Sequence, residues 1–224
     1  PEANINIDEI LPGGSHPARV RLLKEEMIAF QAGMTFLKSK QKRNHAFSLS
    51  KESDWTAEVK SNFPFKLTGA QVKVIGEIKE DLSQEVPMMR LVQGDVGSGK
   101  TVVGALAAAL ALDSSFQVAF MAPTTLLAEQ HYLSLKSFFC KHTKKIILLT
   151  GSTSASKRKK ILQDLKDSKI KLVIGTHALF QKNVEFSNLA LIIIDEQHRF
   201  GVNQRLALRK KNDCLLYTSD AADD

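Results

Sequence analysis

A glycine-rich run near the middle of the chain constrains the fold more than any other part of the sequence. Residues 94–101 read GDVGSGKT and fit the pattern G-x-x-x-x-G-K-[ST] at every fixed position. An apolar stretch, residues 88–92, precedes the run, and a stretch rich in alanine and leucine, residues 101–112, follows it. The sequence therefore predicts a strand, a tight loop and a helix in that order.

The residue types in this run suit the phosphates of a nucleotide. Glycine at three positions lets the backbone turn without a Cβ clash, so that its N–H groups form a concave site for anions. We expect Lys100 to contact the β- and γ-phosphates and the Thr101 hydroxyl to bind Mg²⁺. A glycine- and serine-rich turn that matches by chance is the alternative. The predicted nucleotide-binding residues of the loop are Gly94, Asp95, Val96, Gly97, Ser98, Gly99, Lys100 and Thr101.

Composition and charge narrow the class of protein. Hydrophobic residues make up 43% of the 224 residues and charged residues 25%, as in soluble globular proteins. No apolar run reaches the length of a membrane span and no signal peptide is recognisable, so we expect a cytoplasmic protein without membrane contact. The formal charge of +7 fits a nucleic-acid partner and simple solubility equally well. The two cysteines lack the spacing of a zinc site or a disulfide framework.

Downstream of the loop, stretches typical of strands alternate with stretches typical of helices. Strands are predicted at residues 117–121, 145–150, 171–175 and 189–194, and helices at 124–139 and 155–169. Such alternation predicts an α/β fold with a parallel sheet flanked by helices. Ligands of these folds bind where the strands end, and each motif of this chain falls at such a point.

The aliphatic stretch 189–194 runs directly into two adjacent carboxylates, Asp195 and Glu196. A carboxylate at the end of a buried strand can hold Mg²⁺ against Thr101 and the phosphates, and this role is expected of Asp195. Glu196 is then the expected general base that activates the attacking water. Acidic residues that merely cap a strand are the alternative. The predicted catalytic residues are Lys100, Asp195 and Glu196.

Upstream of the loop, the sequence predicts a helix from Pro17 with an apolar stripe and a solvated, mixed-charge surface over residues 38–60. A further helix is expected at residues 72–82. Phe65 and Gln71 lie just before it, and we expect the ring to stack on a purine and the amide to pair with its edge. An ordinary helix N-terminus is the alternative for this segment.

Together these motifs resemble the nucleotide site of superfamily 2 helicases and translocases, whose ATPase domains are RecA-like P-loop NTPase domains. The segments that most resemble the RecG family of bacterial DNA helicases are RLVQGDVGSGKT (90–101), MAPTTLLAEQH (121–131), IGTHALFQ (174–181) and IIIDEQHRFGVNQR (192–205). FKLTGAQ (65–71) is similar to the adenine-side motif of that family, and HPARVRLLKEEM (16–27) to the helical linker between its wedge and motor domains.

The resemblance implies an ATP-dependent helicase or translocase that uses ATP and Mg²⁺. It implies action as a monomer on branched DNA with duplex and single-strand junctions, in repair and recombination. Gln197 and His198 match the couplers between hydrolysis and strand movement. Without the family, His177 would be an ordinary surface or capping histidine. The positions that match nucleic-acid contacts are Thr124, Thr125, Gly151, Thr176 and His177.

The resemblance also implies a division into domains. Residues 1–60 match the end of the wedge domain and the linker, and residues 61–212 match the first RecA-like ATP-binding domain. We expect residues 213–224 to be an unrelated tail at a truncated end, because the T-A-T-P-like motif and the second RecA-like domain of the family do not follow. A fragment without the arginine fingers of that second domain is expected to hydrolyse ATP very slowly and not to unwind DNA.

Three alternatives stay open. A translocase of the Mfd type has similar motifs, but that family usually has Phe at the position of Ser98 and Glu at that of Gln197. A nucleotide-dependent nucleic-acid binding module without unwinding is an alternative of another class. A DEAD-box-like RNA helicase is disfavoured, because His198 stands where that family has Asp.

Overall fold

The computed structural model describes Arg21 and residues 45–95, 97–181, 183–196 and 214–220. The chain divides into two compact units, Pro1–Arg43 and Asn44–Asp224, and the fold described below is that of the second unit. The expected helix from Pro17 lies, apart from Arg21, outside the described residues. The division expected from the sequence comes later, after residue 60, and the domain bounds stay a prediction.

Six parallel strands form one sheet in the order β1-β6-β5-β2-β4-β3. Because all strands run the same way, their carboxyl ends lie along one edge of the sheet, which is called the carboxyl edge below. This arrangement confirms the predicted α/β fold with a parallel sheet. The strands are β1 (Met89–Gly94), β2 (Gln117–Met121), β3 (Ile146–Leu149), β4 (Leu172–Gly175), β5 (Leu189–Ile194) and β6 (Leu215–Asp220).

The described residues of this unit contain five α-helices and two short 3₁₀ segments, of which the first two helices precede β1 and the others connect strands. The last four helices correspond to the helices predicted from the sequence, whereas the first begins within the stretch 38–60 expected to be solvated surface. The helices are α1 (Asp54–Asn62), α2 (Gly69–Ser83), α3 (Lys100–Asp113), α4 (Thr125–Phe138) and α5 (Ala155–Lys166), and the 3₁₀ segments are Cys140–Lys145 and His177–Phe180. Among the described residues, no helix has the length and apolarity needed to cross a bilayer.

Helix α3 forms the centre of the core. Every residue from 102 to 113 is buried, because α3 packs on β2 and β5 on one side and on α1, α2 and α4 on the other. A helix that is apolar all round fits only such an enclosed position. At Gly104 an added Cβ would lie 3.2 Å from the Phe120 ring, so the missing side chain permits close packing of α3 on the sheet. The phosphate loop is therefore attached to the most completely buried of the described helices.

One side of α1 is buried, which corrects the expectation of a solvated surface for that part of residues 38–60, whereas most of residues 45–54 are exposed as expected. Trp55 and Val59 are buried in the core, and the Asp113 carboxylate at the end of α3 accepts hydrogen bonds from the N–H groups of Ser53, Trp55 and Thr56 (2.8, 2.9 and 3.0 Å). The expectation failed because the aromatic anchor and the acceptor for the helix N-terminus are far apart in sequence.

Strand β6 lies inside the sheet, between β1 and β5. It belongs to residues 213–224, which the sequence predicts to be an unrelated tail, and the origin of that stretch stays a prediction. Leu216 is fully buried, and burial raises the pKa of the Cys214 thiol to about 11. The described part of this stretch therefore contributes to the core and completes the sheet.

Candidate nucleotide site

The loop between β1 and α3 opens at the carboxyl edge of the sheet. Gly97 and Gly99 have φ angles of 79° and 85°, in the left-handed region that glycine adopts without strain. Lys100 begins α3, and its Nζ donates to the carbonyl oxygens of Gly94 (2.7 Å) and Asp95 (3.0 Å). Val96 lies outside the described residues. The positive charge, the helix N-terminus and the backbone turn thus lie together, as a phosphate-binding loop requires.

Gln71 is fixed against this loop by a capping box at the start of α2. The Gln71 side chain accepts from the Thr68 N–H (2.9 Å), and its Nε2 donates to the Ser98 carbonyl oxygen (2.8 Å). An added Cβ at Gly99 would overlap that Nε2 atom. Phe65 is 50% exposed and lies parallel to Phe63, with ring centroids 6.2 Å apart. The purine contacts expected of Phe65 and Gln71 stay predictions.

Asp195 follows β5 directly, and its carboxylate is held on both oxygens. His131 Nε2 lies 2.7 Å from Oδ2, and Thr218 Oγ1 donates to Oδ1 at 2.5 Å. Burial alone would raise the pKa of Asp195, but the hydrogen bonds from His131 and Thr218, with the positive charge of Lys100, hold it below its ordinary value. Asp195 is therefore an anion at neutral pH, beside the phosphate loop.

Glu196 comes next and has a backbone conformation in the left-handed region. Its φ angle is 54°, which is uncommon for a residue with a side chain and costs about 1 kcal/mol or more. The side chain is partly buried. Strained backbone of this kind is common at functional sites, where the surrounding structure holds the residue in place.

The donor set fits Mg²⁺. The Thr101 hydroxyl at the start of α3 and the Asp195 carboxylate are hard oxygen ligands, which Mg²⁺ prefers. Within the described ranges, no group of three or more His, Cys, Asp or Glu side chains forms a closed metal site. An ion held by one or two protein oxygens together with phosphates and water suits Mg²⁺ better than a cage of protein ligands.

The expected nucleic-acid contacts follow the ends of three strands. Thr124 and Thr125 come after β2 and are exposed, and the Thr124 hydroxyl caps α4 by accepting from the Leu127 N–H (3.3 Å). Gly151 after β3 and His177 after β4 are also exposed, whereas Thr176 is buried. These residues lie along the carboxyl edge, and their contacts with nucleic acid stay predictions.

The two predicted coupling residues cannot be placed, and two further residues of the site were not predicted from the sequence. Gln197 and His198 lie outside the described residues. His131 and Thr218 had no role assigned from the sequence. The spacing of Ala128, His131 and Leu135 on a predicted helix could have indicated a buried histidine. Nothing in the sequence indicated Thr218, because its stretch was interpreted as an unrelated tail.

Comparison with known proteins identifies the family to which the chain belongs. Residues 68–217 match the model of the DEAD/DEAH box helicase family, so the chain belongs to that family. Its sheet and loop have the RecA-like helicase fold.

Individual proteins that match the chain narrow the family to helicases of one type. The chain is 48% identical over 203 residues to the ATP-dependent DNA helicase RecG of Pasteurella multocida (strain Pm70), which covers 91% of this chain and 29% of the relative. It is 47% identical over 201 residues to RecG of Escherichia coli (strain K12), covering 90% and 29%. A solved structure of RecG bound to a three-way DNA junction matches with a TM-score of 0.78 and 41% identity, over 91% of this chain and 27% of that one. The chain thus spans less than a third of these relatives.

Proposed function

We propose that this chain is the ATP-binding motor domain of a RecG-type DNA helicase. In the whole protein it would couple ATP hydrolysis to the unwinding and remodelling of branched DNA, in repair and recombination. The observation that carries the proposal is the ionised Asp195, held at the end of β5 beside Lys100 and the phosphate loop.

The loop binds the phosphates of ATP, with backbone N–H groups and Lys100 offsetting their charge. Gln71 and Phe65 bind the adenine. Gln71 lies at the start of α2 and donates a hydrogen bond to the Ser98 carbonyl oxygen of the loop. Thr101 and Asp195 would hold Mg²⁺. When bound, that ion offsets negative charge on the β- and γ-phosphates.

Glu196 accepts the proton of the attacking water on its carboxylate. The turn at its own φ of 54° fixes where the side chain leaves the end of β5. A general base contributes about 100- to 10,000-fold in rate, so this residue governs hydrolysis rather than binding.

In this proposal DNA binds along the carboxyl edge, at Thr124, Thr125, Gly151 and His177. Thr176 is buried and supports the backbone next to His177. Hydroxyl and backbone N–H groups at a helix start suit phosphate oxygens of a DNA backbone. Gln197 and His198 transmit hydrolysis to strand movement. We infer a monomer that works in the cytoplasm, where its DNA substrate is.

A chimera tests the proposal. The matched 201-residue segment of the Escherichia coli relative is replaced by this chain's own residues, and hydrolysis of ATP and strand separation of a three-way junction are measured. We expect both activities, and we expect Lys100→Ala to lower hydrolysis by at least about 100-fold. A folded chimera that lacks hydrolysis, or one that is unaffected by Lys100→Ala, would contradict the proposal.

Within the same chimera, Glu196→Gln separates hydrolysis from binding. The variant keeps the size of the side chain but cannot take up a proton, so ATP hydrolysis should fall by about 100- to 10,000-fold. Affinity for a fluorescent ATP analogue should stay within about threefold of the parent chimera. Equal losses of binding and hydrolysis would rule out the general-base role.

A further inference from the structure

His131 is a buried side chain that the mechanism above does not use. It lies on α4, is 8% exposed, and packs against the Phe120 ring of β2, with ring centroids 4.8 Å apart. Its Nε2 lies 2.7 Å from Oδ2 of Asp195. Since an ionised carboxylate only accepts hydrogen bonds, Nε2 is the protonated nitrogen and the donor.

A polar histidine at this buried position of α4 needs a physical explanation. Ala128 and Leu135 are fully buried on the same helix, so an apolar residue between them would complete the packing. Burying a polar ring costs free energy unless it is hydrogen-bonded. Leucine could also pack against Phe120, but it has no donor for Asp195.

That donor completes the support of the carboxylate. Thr218 holds Oδ1 at 2.5 Å, and the backbone N–H of Asp195 donates to the Met121 carbonyl oxygen at 2.9 Å. With Oδ2 bound by His131 and Oδ1 by Thr218, rotation of the carboxylate about its last bond would break both hydrogen bonds. Each oxygen keeps a further lone pair for an ion or for water bound to it.

We propose that His131 is a positioning residue for the Mg²⁺–nucleotide complex, which holds the Asp195 carboxylate in one orientation beside the phosphate loop. This inference rests on the proposed function, because it requires Asp195 to act on Mg²⁺. Hydrogen bonds to ligand carboxylates are typical of metal sites, and loss of one lowers metal affinity by about 10- to 100-fold.

The test is a pair of titrations of the 224-residue chain with a fluorescent ATP analogue, one in Mg²⁺ and one in a chelator. The ratio of the two affinities is the Mg²⁺ increment. We expect His131→Leu to lower this increment by about 10- to 100-fold, while affinity in chelator changes less than about threefold. His131→Gln, whose amide nitrogen reaches the place of Nε2, should restore most of the increment. His131→Asn, whose amide is too short, should not, and it replaces the leucine variant if that variant does not fold.

His142 provides a matched control. It is also a histidine bound to a carboxylate, with Nδ1 2.7 Å from Glu58 Oε2, but it lies beyond the end of α4. His142→Leu should lower the melting temperature and leave the Mg²⁺ increment unchanged.

Two results would overturn the inference. One is an unchanged increment in His131→Leu and His131→Asn when wild-type binding depends on Lys100. The other is an equal loss in both titrations that His131→Gln does not restore, which is the behaviour of a packing residue. Wild-type binding that ignores Lys100→Ala would instead remove the proposed function, and this inference with it.

Discussion

The carboxylate of Asp195 stays ionised although most of its surroundings are protein. Its hydrogen bonds with His131 and Thr218 and the nearby charge of Lys100 outweigh burial. From the sequence, the loop and the Asp195–Glu196 pair could be predicted because each is a local pattern with a known chemistry. The contacts of His131 and Thr218 with Asp195 could not be predicted, since they span 64 and 23 residues.

At Gly99, a side chain would strain the backbone and displace the Gln71 amide. The φ angle of Gly99 is 85°, and an added Cβ would overlap Gln71 Nε2. We expect Gly99→Ala to weaken binding of a fluorescent ATP analogue by about tenfold, equivalent to about 1.4 kcal/mol, because the loop must deform.

Gly76 in the middle of α2 is the control for this change, because an added Cβ there meets nothing within 4 Å. Gly76→Ala should raise the free energy of unfolding by about 0.5–1 kcal/mol and leave binding unchanged. Equal affinity in Gly99→Ala and wild type would show that the loop conformation at Gly99 does not matter for binding.

Helix α1 is held to the core by polar contacts that no local pattern reveals. The Asp113 carboxylate accepts hydrogen bonds from three backbone N–H groups at the start of α1. The Glu58 carboxylate accepts a hydrogen bond from the Lys141 N–H and lies 2.7 Å from His142 Nδ1. Trp55 lies between these anchors and stacks on the His142 ring at 3.9 Å. Because the partners are 57–84 residues apart, the stretch around α1 looked like solvated surface from the sequence alone.

Asp113→Ala should destabilise the chain by about 2–3 kcal/mol, because three N–H groups at the α1 terminus lose their acceptor. Urea unfolding followed by circular dichroism measures the change. Asp167→Ala, at an exposed aspartate just after α5, is the control and should leave the midpoint nearly unchanged. A midpoint for Asp113→Ala equal to that of the control would mean that water replaces the carboxylate at no cost.

Glu58 makes the stability of this element depend on pH. Burial would raise its pKa, but the hydrogen bonds from Lys141, His142 and Cys140 lower it below the ordinary value of 4.5. A lowered pKa in the folded state adds stability that is full above pH 4.5 and is lost as the pH falls through the folded-state pKa. The difference in unfolding free energy between wild type and Glu58→Gln should be about 1–2 kcal/mol above pH 4.5. It should decrease as the pH falls through the folded-state pKa. A difference that does not change between pH 7 and pH 3 would contradict this origin.

At the scale of the whole molecule, the parallel sheet was predictable because strand and helix patterns alternate along the chain. The strand order was not, since it depends on which strands meet after long connections. The insertion of β6 between β1 and β5 is the clearest example. The places of α1 and β6 in the core could not be predicted for the same reason, because both join it through contacts distant in sequence, whereas the domain bounds stay a prediction.

The measurement that tests the central claim most directly is the Mg²⁺-dependent binding of a fluorescent ATP analogue by the 224-residue chain. It should be made beside Lys100→Ala and Asp195→Ala. We predict saturable binding that strengthens with Mg²⁺ in wild type, is lost in Lys100→Ala, and keeps little response to Mg²⁺ in Asp195→Ala. Absence of binding by a chain that circular dichroism shows to be folded, or binding that neither substitution changes, would contradict a nucleotide site at this edge of the sheet.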